Sequence, residues 1–272
     1  MGKKIFITYG DKLYASNVLR ICNMAKQTNH FDEIISYGPK DLPQEILTHT
    51  LFQYARGGGY WLWKPYIIQK TLEECNDDDI VVYVDSGSEV YKDDLWQTYF
   101  NMMKKSNAIV FKFCCLMKYW TKKSVLDKFR QDCRNIHQLH QICGGVSLWS
   151  RKALPVVKEW YKLMYEHPDL VSDTPPDKLK FEAPYFKEHR HDQAILTCLA
   201  YKYEKEYGIQ ILWEKSEVFY SKGQAVFLSR IRNKNGVLKG REHKPVSLIW
   251  RIRHFIVNTL RDIRQFLYKY LL

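Results

Sequence analysis

Three charged residues, Lys64, Asp85 and Asp192, stand at the boundaries of apolar stretches of the sequence. Asp85 directly follows the run Ile80–Val84, whose β-branched residues predict a strand of a parallel sheet that is buried on both faces. An acid at the carboxyl end of such a strand lies where open α/β sheets bind their ligands. The alternative is that Asp85 only caps the turn that follows.

Lys64 belongs to the segment GGGYWLWKP, residues 57–65, which joins a glycine triplet to a cluster of aromatic side chains. Pro65 fixes φ and predicts the start of a helix that continues to Leu72. A lysine between Trp63 and this proline, ahead of the central strand, could bind a diphosphate as a compact positive charge. The alternative for the tryptophans is that they are core residues of the helix.

Asp192 lies in a run of five polar residues, 189–193, at the predicted start of a helix that continues to residue 200. An acid in that position is commonly a helix cap, because the helix dipole and the free N–H groups favour it. Two imidazoles among the five polar side chains favour a functional site instead.

The pattern of apolar residues predicts alternating strands and helices from the N-terminus, with strands over Ile5–Tyr9 and Glu33–Tyr37 and helices over residues 14–27 and Leu42–Tyr54. This order predicts an α/β fold with a mostly parallel, Rossmann-like sheet flanked by helices. No G-x-G-x-x-G follows the first strand, and the sequence contains no P-loop motif. A glycine pair, Gly144 and Gly145, precedes a further predicted strand, where glycines commonly mark the close approach of a ligand or of another backbone.

The net charge of +12 comes almost entirely from the C-terminal part of the 272-residue chain. Residues 221–272 carry 12 Lys and Arg against 2 Asp and Glu, which leaves 30 basic and 28 acidic residues in 1–220. We therefore predict two units, an α/β domain over 1–220 that carries the candidate site and a basic extension over 221–272.

The basic extension contains a predicted amphipathic helix. From Val246 onward, apolar residues recur at three- and four-residue steps on one face, with basic and polar residues opposite. This pattern is typical of a helix that lies in an anionic membrane surface. One alternative is a helix docked on the domain or on a partner subunit; another is a nucleic-acid-binding tail, which would bind with a steep salt dependence. The apolar face and the near-neutral remainder of the chain argue against nucleic acid.

The seven cysteines are scattered along the chain, and none of them forms a C-x-x-C pair. This pattern is typical neither of a zinc ribbon nor of a secreted disulfide framework, and it favours reduced thiols. Together with the tail, it predicts a cytoplasmic protein that is peripheral on the inner face of the cytoplasmic membrane.

The order of these features resembles GT-A-type glycosyltransferases, and more narrowly the small bacterial enzymes of capsule and lipopolysaccharide O-antigen assembly. The resemblance covers roughly residues 3 to 215 and depends on G-x-G-Y-W-x-W-K-P, Y-x-D-x-G, the glycine pair and H-R-H-D-Q. It implies a GT-A-like catalytic domain, a nucleotide-sugar donor (a UDP-sugar is favoured) and a glycan or lipid-linked glycan acceptor.

The resemblance also implies roles for single residues. Lys64 would contact the donor diphosphate, Asp85 would hold the donor, and Asp192 would be the base of an inverting transfer. If the reaction retains configuration, Asp192 or Gln193 would lie beside the anomeric carbon instead. The implied donor-binding residues are Thr8, Tyr9, Trp63, Lys64, Asp85, Ser86, Gly87 and Arg190. The implied acceptor-binding residues are Gly144, Gly145, His191 and Gln193.

The resemblance raises the question of a divalent cation. In this fold Asp85 would be the first acid of a D-x-D element that binds the metal and the donor ribose, but the second acid is replaced by Gly87. Mn²⁺ or Mg²⁺ would therefore need Asp85 together with a distant ligand, for which the candidates are His243 and Glu89. The alternative is a metal-independent enzyme whose phosphate charge is neutralised by Lys64 and Arg190.

The resemblance thus implies a glycosyltransferase of surface polysaccharide biosynthesis. A non-catalytic sugar-binding domain is a further alternative, but it would leave Lys64, Asp85 and Asp192 without a function. The prediction requires that these three residues, which are distant in sequence, meet in one cleft at one rim of the sheet.

Overall fold

The computed structural model describes residues 2–234 and 237–270, and its strands form one large sheet and two small ones. The strands are β1 Lys4–Tyr9, β2 Glu33–Tyr37, β3 Ile80–Val84, β4 Glu89–Val90, β5 Ala108–Leu116, β6 His140–Trp149, β7 Ile209–Trp213, β8 Val226–Phe227, β9 Arg232–Lys234 and β10 Val237–Lys239. The large sheet has the order β2-β1-β3-β6-β5-β7, while β4 pairs with β8 and β9 pairs with β10.

Helices cover both faces of the large sheet. They are α1 Ala15–Thr28, α2 Gln44–Leu47, α3 Gly57–Tyr60, α4 Trp63–Glu74, α5 Leu95–Met103, α6 Met117–Trp120, α7 Lys123–Lys128, α8 Leu154–Glu166, α9 Pro168–Val171, α10 His191–Lys202 and α11 Leu248–Tyr270. Helices α4, α8 and α10 contribute to the core on one face, and α1 and α5 contribute to the core on the other.

Strand β3 lies at the centre of both cores, and all five of its residues are buried. Side chains alternate between the faces of a strand, so Val81 and Tyr83 pack with α4 and α10, while Val82 and Val84 pack with α1 and α5. The uninterrupted apolar run therefore reflects burial on both faces, as predicted. The strand ends at Asp85 because the chain leaves the core there.

The predicted α/β fold, with a mostly parallel sheet flanked by helices, is confirmed. Strands β2, β1 and β3 are parallel neighbours, and so are β5 and β7. The exception is β6, which lies between β3 and β5 and is antiparallel to both. The predicted strands over Glu33–Tyr37 and Ile80–Val84 have the bounds that the structure shows.

Two local predictions were wrong. The helix predicted over Leu42–Tyr54 is split into α2 and a short 3-10 turn, because His49 is extended (ψ 147°) and its ring accepts a hydrogen bond from the Leu51 N–H. The glycine pair predicted to precede a strand lies inside β6.

Residues beyond β7 return to the domain before the chain ends in α11. Strand β8 pairs with β4, just after the Asp85 turn, and the Arg241 N–H donates to the Ser229 carbonyl. The predicted boundary at residue 220 is not tested by these contacts and stays a prediction. Among the described residues, no helix combines the length and the apolarity that crossing a bilayer requires.

Candidate active site

The ammonium group of Lys64 joins the three predicted residues. Its Nζ atom lies 2.9 Å from Asp192 Oδ2 and 3.6 Å from Asp85 Oδ1, and it donates a 2.9 Å hydrogen bond to the Gly144 carbonyl. Lys64 and Asp192 are buried, whereas the side chain of Asp85 is 40% exposed. The three residues therefore meet at one place, and Asp85 is the member that a ligand reaches most easily.

Each charged residue of this cluster is placed by the end of an element. Asp85 follows β3, Lys64 lies in the first turn of α4, and Asp192 lies in the first turn of α10. Strand β6 connects them, because the Gly145 carbonyl accepts a 2.9 Å hydrogen bond from the Asp85 N–H and the Gly144 carbonyl accepts one from Lys64.

The glycine pair leaves the space that the charged groups occupy. A Cβ atom on Gly144 would lie 3.3 Å from Asp192 Oδ2 and 3.4 Å from Lys64 Nζ. A Cβ atom on Gly145 would lie 3.0 Å from Asp85 Oδ2. Both glycines therefore permit close approach of the cluster to β6, which is the kind of role the sequence suggested for them.

The Lys64–Asp192 pair is fully desolvated, and this shifts both pKa values. Burial disfavours the Lys64 ammonium, but the attraction of Asp192 and Asp85 outweighs it, so the pKa of Lys64 is raised above 10.5. Burial raises the pKa of Asp192 above its ordinary 3.8, with Lys64 opposing the shift and Asp85 adding to it. Lys64 is thus a permanent cation, and Asp192 is a stronger base than an exposed aspartate.

Tyr83 is a site residue that the sequence analysis missed. Its hydroxyl donates a 2.5 Å hydrogen bond to Asp85 Oδ1, and its ring lies 5.5 Å from Lys64 Nζ. Burial and the nearby Asp85 carboxylate raise the pKa of Tyr83, so the hydroxyl keeps its proton. A signal was present, because residues two apart on a strand point to the same face.

Arg20 is a second missed residue, and it orders the turn after Asp85. From α1 its guanidinium donates to the carbonyls of Ser86, at 3.0 Å, and Ser88, at 2.6 Å. The predicted donor-binding residue Ser86 is itself buried. No pattern in the sequence connects Arg20 to this turn, which lies 66 residues away.

Gly87, the residue in place of the second D-x-D acid, is covered by the C-terminal part of the chain. Its carbonyl accepts a 2.7 Å hydrogen bond from the Ile231 N–H. A Cβ atom there would lie 3.1 Å from the Ile231 carbonyl oxygen, which in turn accepts a 2.8 Å hydrogen bond from Asn17 Nδ2. A longer acidic side chain at position 87 would therefore require residues around 231 to move.

Predicted donor-binding residues form the wall beside Lys64. Tyr9 and Trp63 stack with ring centroids 3.9 Å apart, both are buried, and Lys64 Nζ lies 5.8 Å from the Trp63 ring. Thr8 is fully buried, and its hydroxyl donates a 2.8 Å hydrogen bond to the Val84 carbonyl. Its hydroxyl thus holds the end of β3, and a role for Thr8 in binding the donor stays a prediction.

The loop before α4 is strained. Residues 57–61 all have φ between +52° and +88°, which glycine tolerates but which costs Tyr60 and Trp61 roughly 1–2 kcal/mol each. The Tyr60 hydroxyl donates a 2.9 Å hydrogen bond to Asp173 Oδ2, and the Trp61 ring stacks on His191, with centroids 5.5 Å apart. These contacts hold the strained loop next to Lys64, and strain of this kind is frequent at functional sites.

Of the predicted acceptor-binding side chains, Gln193 lies at the cluster and His191 is buried. Gln193 Oε1 accepts a 3.4 Å hydrogen bond from the Gly144 N–H. His191 is 3% exposed, and its Nδ1 lies 2.8 Å from the Val171 carbonyl. Burial lowers the pKa of His191, so the neutral ring donates to that carbonyl. The predicted contact of His191 with an acceptor is therefore corrected, because its ring is buried and an acceptor cannot reach it.

Arg190, the predicted cation near the donor, lies on a neighbouring segment. Its guanidinium carbon is 4.3 Å from the Trp120 ring centroid, and its NH2 is 3.5 Å from Glu188 Oε2. The 190 backbone N–H donates a 3.1 Å hydrogen bond to the Trp120 carbonyl. Its role as a donor ligand stays a prediction.

The residues proposed for a divalent cation have partners in two separate clusters. His243 Nε2 lies 2.8 Å from Glu89 Oε2, whereas Asp85 meets Lys64 and Tyr83. Within residues 2–234 and 237–270, no group of three or more His, Cys, Asp or Glu side chains is arranged to hold a metal ion. The protein side chains alone therefore do not supply the ligand set that was predicted for Mn²⁺ or Mg²⁺.

No protein-family model matches this chain, and no curated protein matches it. Among solved structures it resembles a glycosyltransferase involved in glycosylation of the major capsid of PBCV-1, at 12% identity over 69% of this chain and 81% of that one, with a TM-score of 0.38. Mouse xyloside xylosyltransferase 1 is 10% identical over 77% of this chain and 85% of its own, with a TM-score of 0.41. The 4-diphosphocytidyl-2C-methyl-D-erythritol synthase of Anaerococcus prevotii is 13% identical over 79% and 90%, with a TM-score of 0.39. Glycosyltransferases are thus among the solved structures that this chain resembles, at distances that leave its activity to be argued from the site.

Proposed function

We propose that this chain is a glycosyltransferase of the hexosyltransferase class, which moves a sugar from a nucleotide-diphosphate sugar to a hydroxyl of a glycan. The observation that carries the proposal is the meeting of Lys64, Asp85 and Asp192 at the carboxyl end of β3. A buried cation between two carboxylates provides the positive charge that a departing diphosphate needs and the base that an acceptor hydroxyl needs.

In the proposed inverting step, the acceptor oxygen attacks the anomeric carbon as the bond from that carbon to the diphosphate oxygen breaks. The hydroxyl proton passes to the carboxylate of Asp192, whose raised pKa suits it to be a base. The bonding electrons leave with the nucleoside diphosphate, and Lys64 stabilises the charge that develops there. Asp85, the most exposed member, contacts the donor.

The ion pair between Lys64 and Asp192 requires that the donor bind before Asp192 can act as a base. Before the donor binds, Lys64 is held by Asp192 Oδ2 and by the Gly144 carbonyl. When a diphosphate oxygen replaces Asp192 as a partner of Lys64, the carboxylate becomes free to accept a proton. Binding of the donor diphosphate to Lys64 therefore frees Asp192 and positions the leaving group at the same time.

The proposal also includes the acceptor and the place of the protein in the cell. The basic, amphipathic C-terminal helix supports a lipid-linked glycan acceptor in surface polysaccharide biosynthesis, because an enzyme held at a membrane meets such an acceptor directly. We place the protein in the cytoplasm, peripheral on the inner face of the cytoplasmic membrane. A UDP-sugar is the favoured donor.

A panel of uridine-, guanosine- and thymidine-diphosphate sugars tests the donor. One class, expected to be the uridine sugars, should raise the melting temperature by roughly 5–10 °C at about 100 times its Kd, because a ligand that binds only the folded state stabilises it by mass action. Release of the nucleoside diphosphate with a glycan acceptor should then follow. A panel that neither stabilises the protein nor turns over would overturn the proposal.

Three further measurements separate the alternatives. Loss of transfer in EDTA that Mn²⁺ restores would show that a cation completes the site with the donor, and undiminished transfer would assign the phosphate charge to Lys64. Tight, salt-dependent binding to DNA or RNA without any turnover would favour the nucleic-acid alternative. Donor binding with neither hydrolysis nor transfer would favour a sugar-binding domain.

Gly144→Ala tests whether the spacing of the cluster matters. The added Cβ would lie 3.3 Å from Asp192 Oδ2 and would force this carboxylate to move by a few tenths of an ångström, so we expect transfer to fall about tenfold with an almost unchanged melting temperature. Gly38→Ala is the matched control, since its Cβ would meet only an ordinary contact 3.4 Å from the Gly10 carbonyl oxygen. Equal activity of the two variants in steady-state kinetics would argue against a role for this spacing.

A further inference from the structure

Helix α11 presents its apolar side to solvent. Each of its exposed apolar side chains is between 40% and 79% accessible; they are Leu248, Ile249, Ile252, Phe255, Ile256, Leu260, Ile263, Phe266 and Leu267. At 100° per residue these positions cover one continuous stripe along the helix. We call this stripe the outer face of α11.

The polar residues of α11, which extend from the side opposite this stripe to the edge of the stripe at Asp262, contact the domain. Asn258 is buried there, and Asp262 receives hydrogen bonds from Lys112 Nζ, at 2.5 Å, and from Trp213 Nε1, at 2.7 Å. Arg251 donates to the Tyr220 carbonyl. Charged and polar contacts therefore attach the helix, together with the Trp250 ring, which packs edge-to-face on Tyr220 with centroids 6.0 Å apart.

The attachment leaves open space beneath the helix. A cavity of about 310 Å³ lies between α11 and the sheet edge, lined by Lys112, Tyr201, Glu204, Ile211, Asp262, Gln265 and Phe266, the last of which is at the border between the cavity and the outer face. A surface helix normally turns its apolar stripe toward the core, and an exposed apolar patch of this length marks an interaction surface. The reversed orientation of α11 therefore calls for an apolar partner outside the chain.

The charges beside the outer face distinguish between the partners. Arg253 and Arg264 are exposed along its edge, and the only acid of the helix, Asp262, is turned toward Lys112 and Trp213. A second copy of the helix packed face to face would bring like charges together. An anionic lipid surface offers an apolar layer beneath negative headgroups, which complements both features.

We propose that the outer face of α11 is a docking surface for an anionic lipid bilayer, and that the Asp262 contacts orient this surface before the membrane is met. The helix then lies in the headgroup region without leaving the domain, so lipid binding fixes the orientation of the whole protein on the bilayer. This inference needs no sugar transfer, and it can fail or hold independently of the proposed reaction.

Sedimentation with vesicles tests the docking surface. The full chain should bind vesicles of equal phosphatidylglycerol and phosphatidylcholine and should bind pure phosphatidylcholine far more weakly. Arg253→Gln/Arg264→Gln should weaken binding to the anionic vesicles about 25-fold, because each basic residue near such a surface contributes about fivefold. Phe255→Gln/Leu260→Gln should weaken it about tenfold or more, because two apolar side chains are no longer buried in lipid.

Leu13→Gln/Leu19→Gln is the matched control, because it removes two apolar side chains that are 75% and 69% exposed and do not belong to α11. This variant should bind vesicles like the wild type. Equal binding by all variants, or no binding by the wild type, would overturn the proposal. A wild-type dimer in analytical ultracentrifugation that Phe255→Gln/Leu260→Gln converts to monomer, without vesicle binding by either, would assign the outer face to a second copy instead.

Discussion

Asp192→Asn is expected to lower the turnover number for sugar transfer by about 10²- to 10⁴-fold, the range that a positioned general base contributes. Asparagine has nearly the same shape, and its amide oxygen can still accept the hydrogen bond from Lys64, so the cluster should keep its geometry. The KM for the donor should not rise, because the lost carboxylate acts on the acceptor hydroxyl and a neutral amide competes less with the diphosphate for Lys64. Steady-state kinetics with purified donor and acceptor measure both quantities.

The pH profile distinguishes a base from a residue that only supports the fold. A base must be ionised, so wild-type turnover should fall as the pH drops through the pKa of Asp192, which burial raises above 3.8. This acid limb should be absent from the residual activity of Asp192→Asn. The exposed control Asp177→Asn should keep both the rate and the limb. A turnover number near that of the wild type in Asp192→Asn would remove this residue as the base.

Inversion is a separate part of the proposal, and product stereochemistry tests it. The anomeric configuration of the transferred sugar, read by nuclear magnetic resonance, should be opposite to that of the donor. If configuration is retained, Asp192 or Gln193 would stand beside the anomeric carbon, and the base assignment would be withdrawn while sugar transfer itself would stand.

Lys64→Met is expected to lower the free energy of unfolding by about 3–5 kcal/mol at neutral pH, because it leaves the carboxylate of Asp192 buried without its cation. Asp192→Leu in the same chain should restore most of this stability, since an apolar pair can replace a buried ion pair at little cost. Transfer should stay abolished in the double variant, because both charged groups are gone. Urea unfolding followed by circular dichroism measures the stability of each protein.

The free energy of unfolding of wild type and of Lys64→Met should depend on pH in a definite direction. In wild type the pKa of Lys64 is raised on folding, so its stabilisation is present below pH 10.5 and is lost as the pH rises through the folded value. In Lys64→Met, Asp192 takes up a proton in the folded state as the pH falls, so the stability difference from wild type should narrow in acid. If Lys64→Met were as stable as wild type at neutral pH, the Lys64–Asp192 pair would not be buried in the way the structure shows.

Local patterns in the sequence were sufficient for β3 and for the choice of the three charged residues that meet at its end. The apolar run Ile80–Val84 predicted β3, because burial on both faces leaves no polar position in a strand. The ends of that run and of the two predicted helices then indicated Lys64, Asp85 and Asp192, since a charged residue beside an apolar run is unusual unless it is paired or functional. The reversal of β6, which places the Gly144 carbonyl at Lys64, had no local signal, because strand direction depends on how distant segments pair.

The tertiary structure alone decided which of the remaining polar residues reach the site. Arg20 meets the Asp85 turn, and Ile231 covers Gly87, through hydrogen bonds between segments 66 or more residues apart. His191 belongs to the same polar run as Asp192, yet it is turned into the core, because a helix start points neighbouring side chains in different directions. Helix α11 shows the same division: its periodicity determined that it would be an amphipathic helix, and only its polar contacts through Asp262 decided that the apolar face is turned outward.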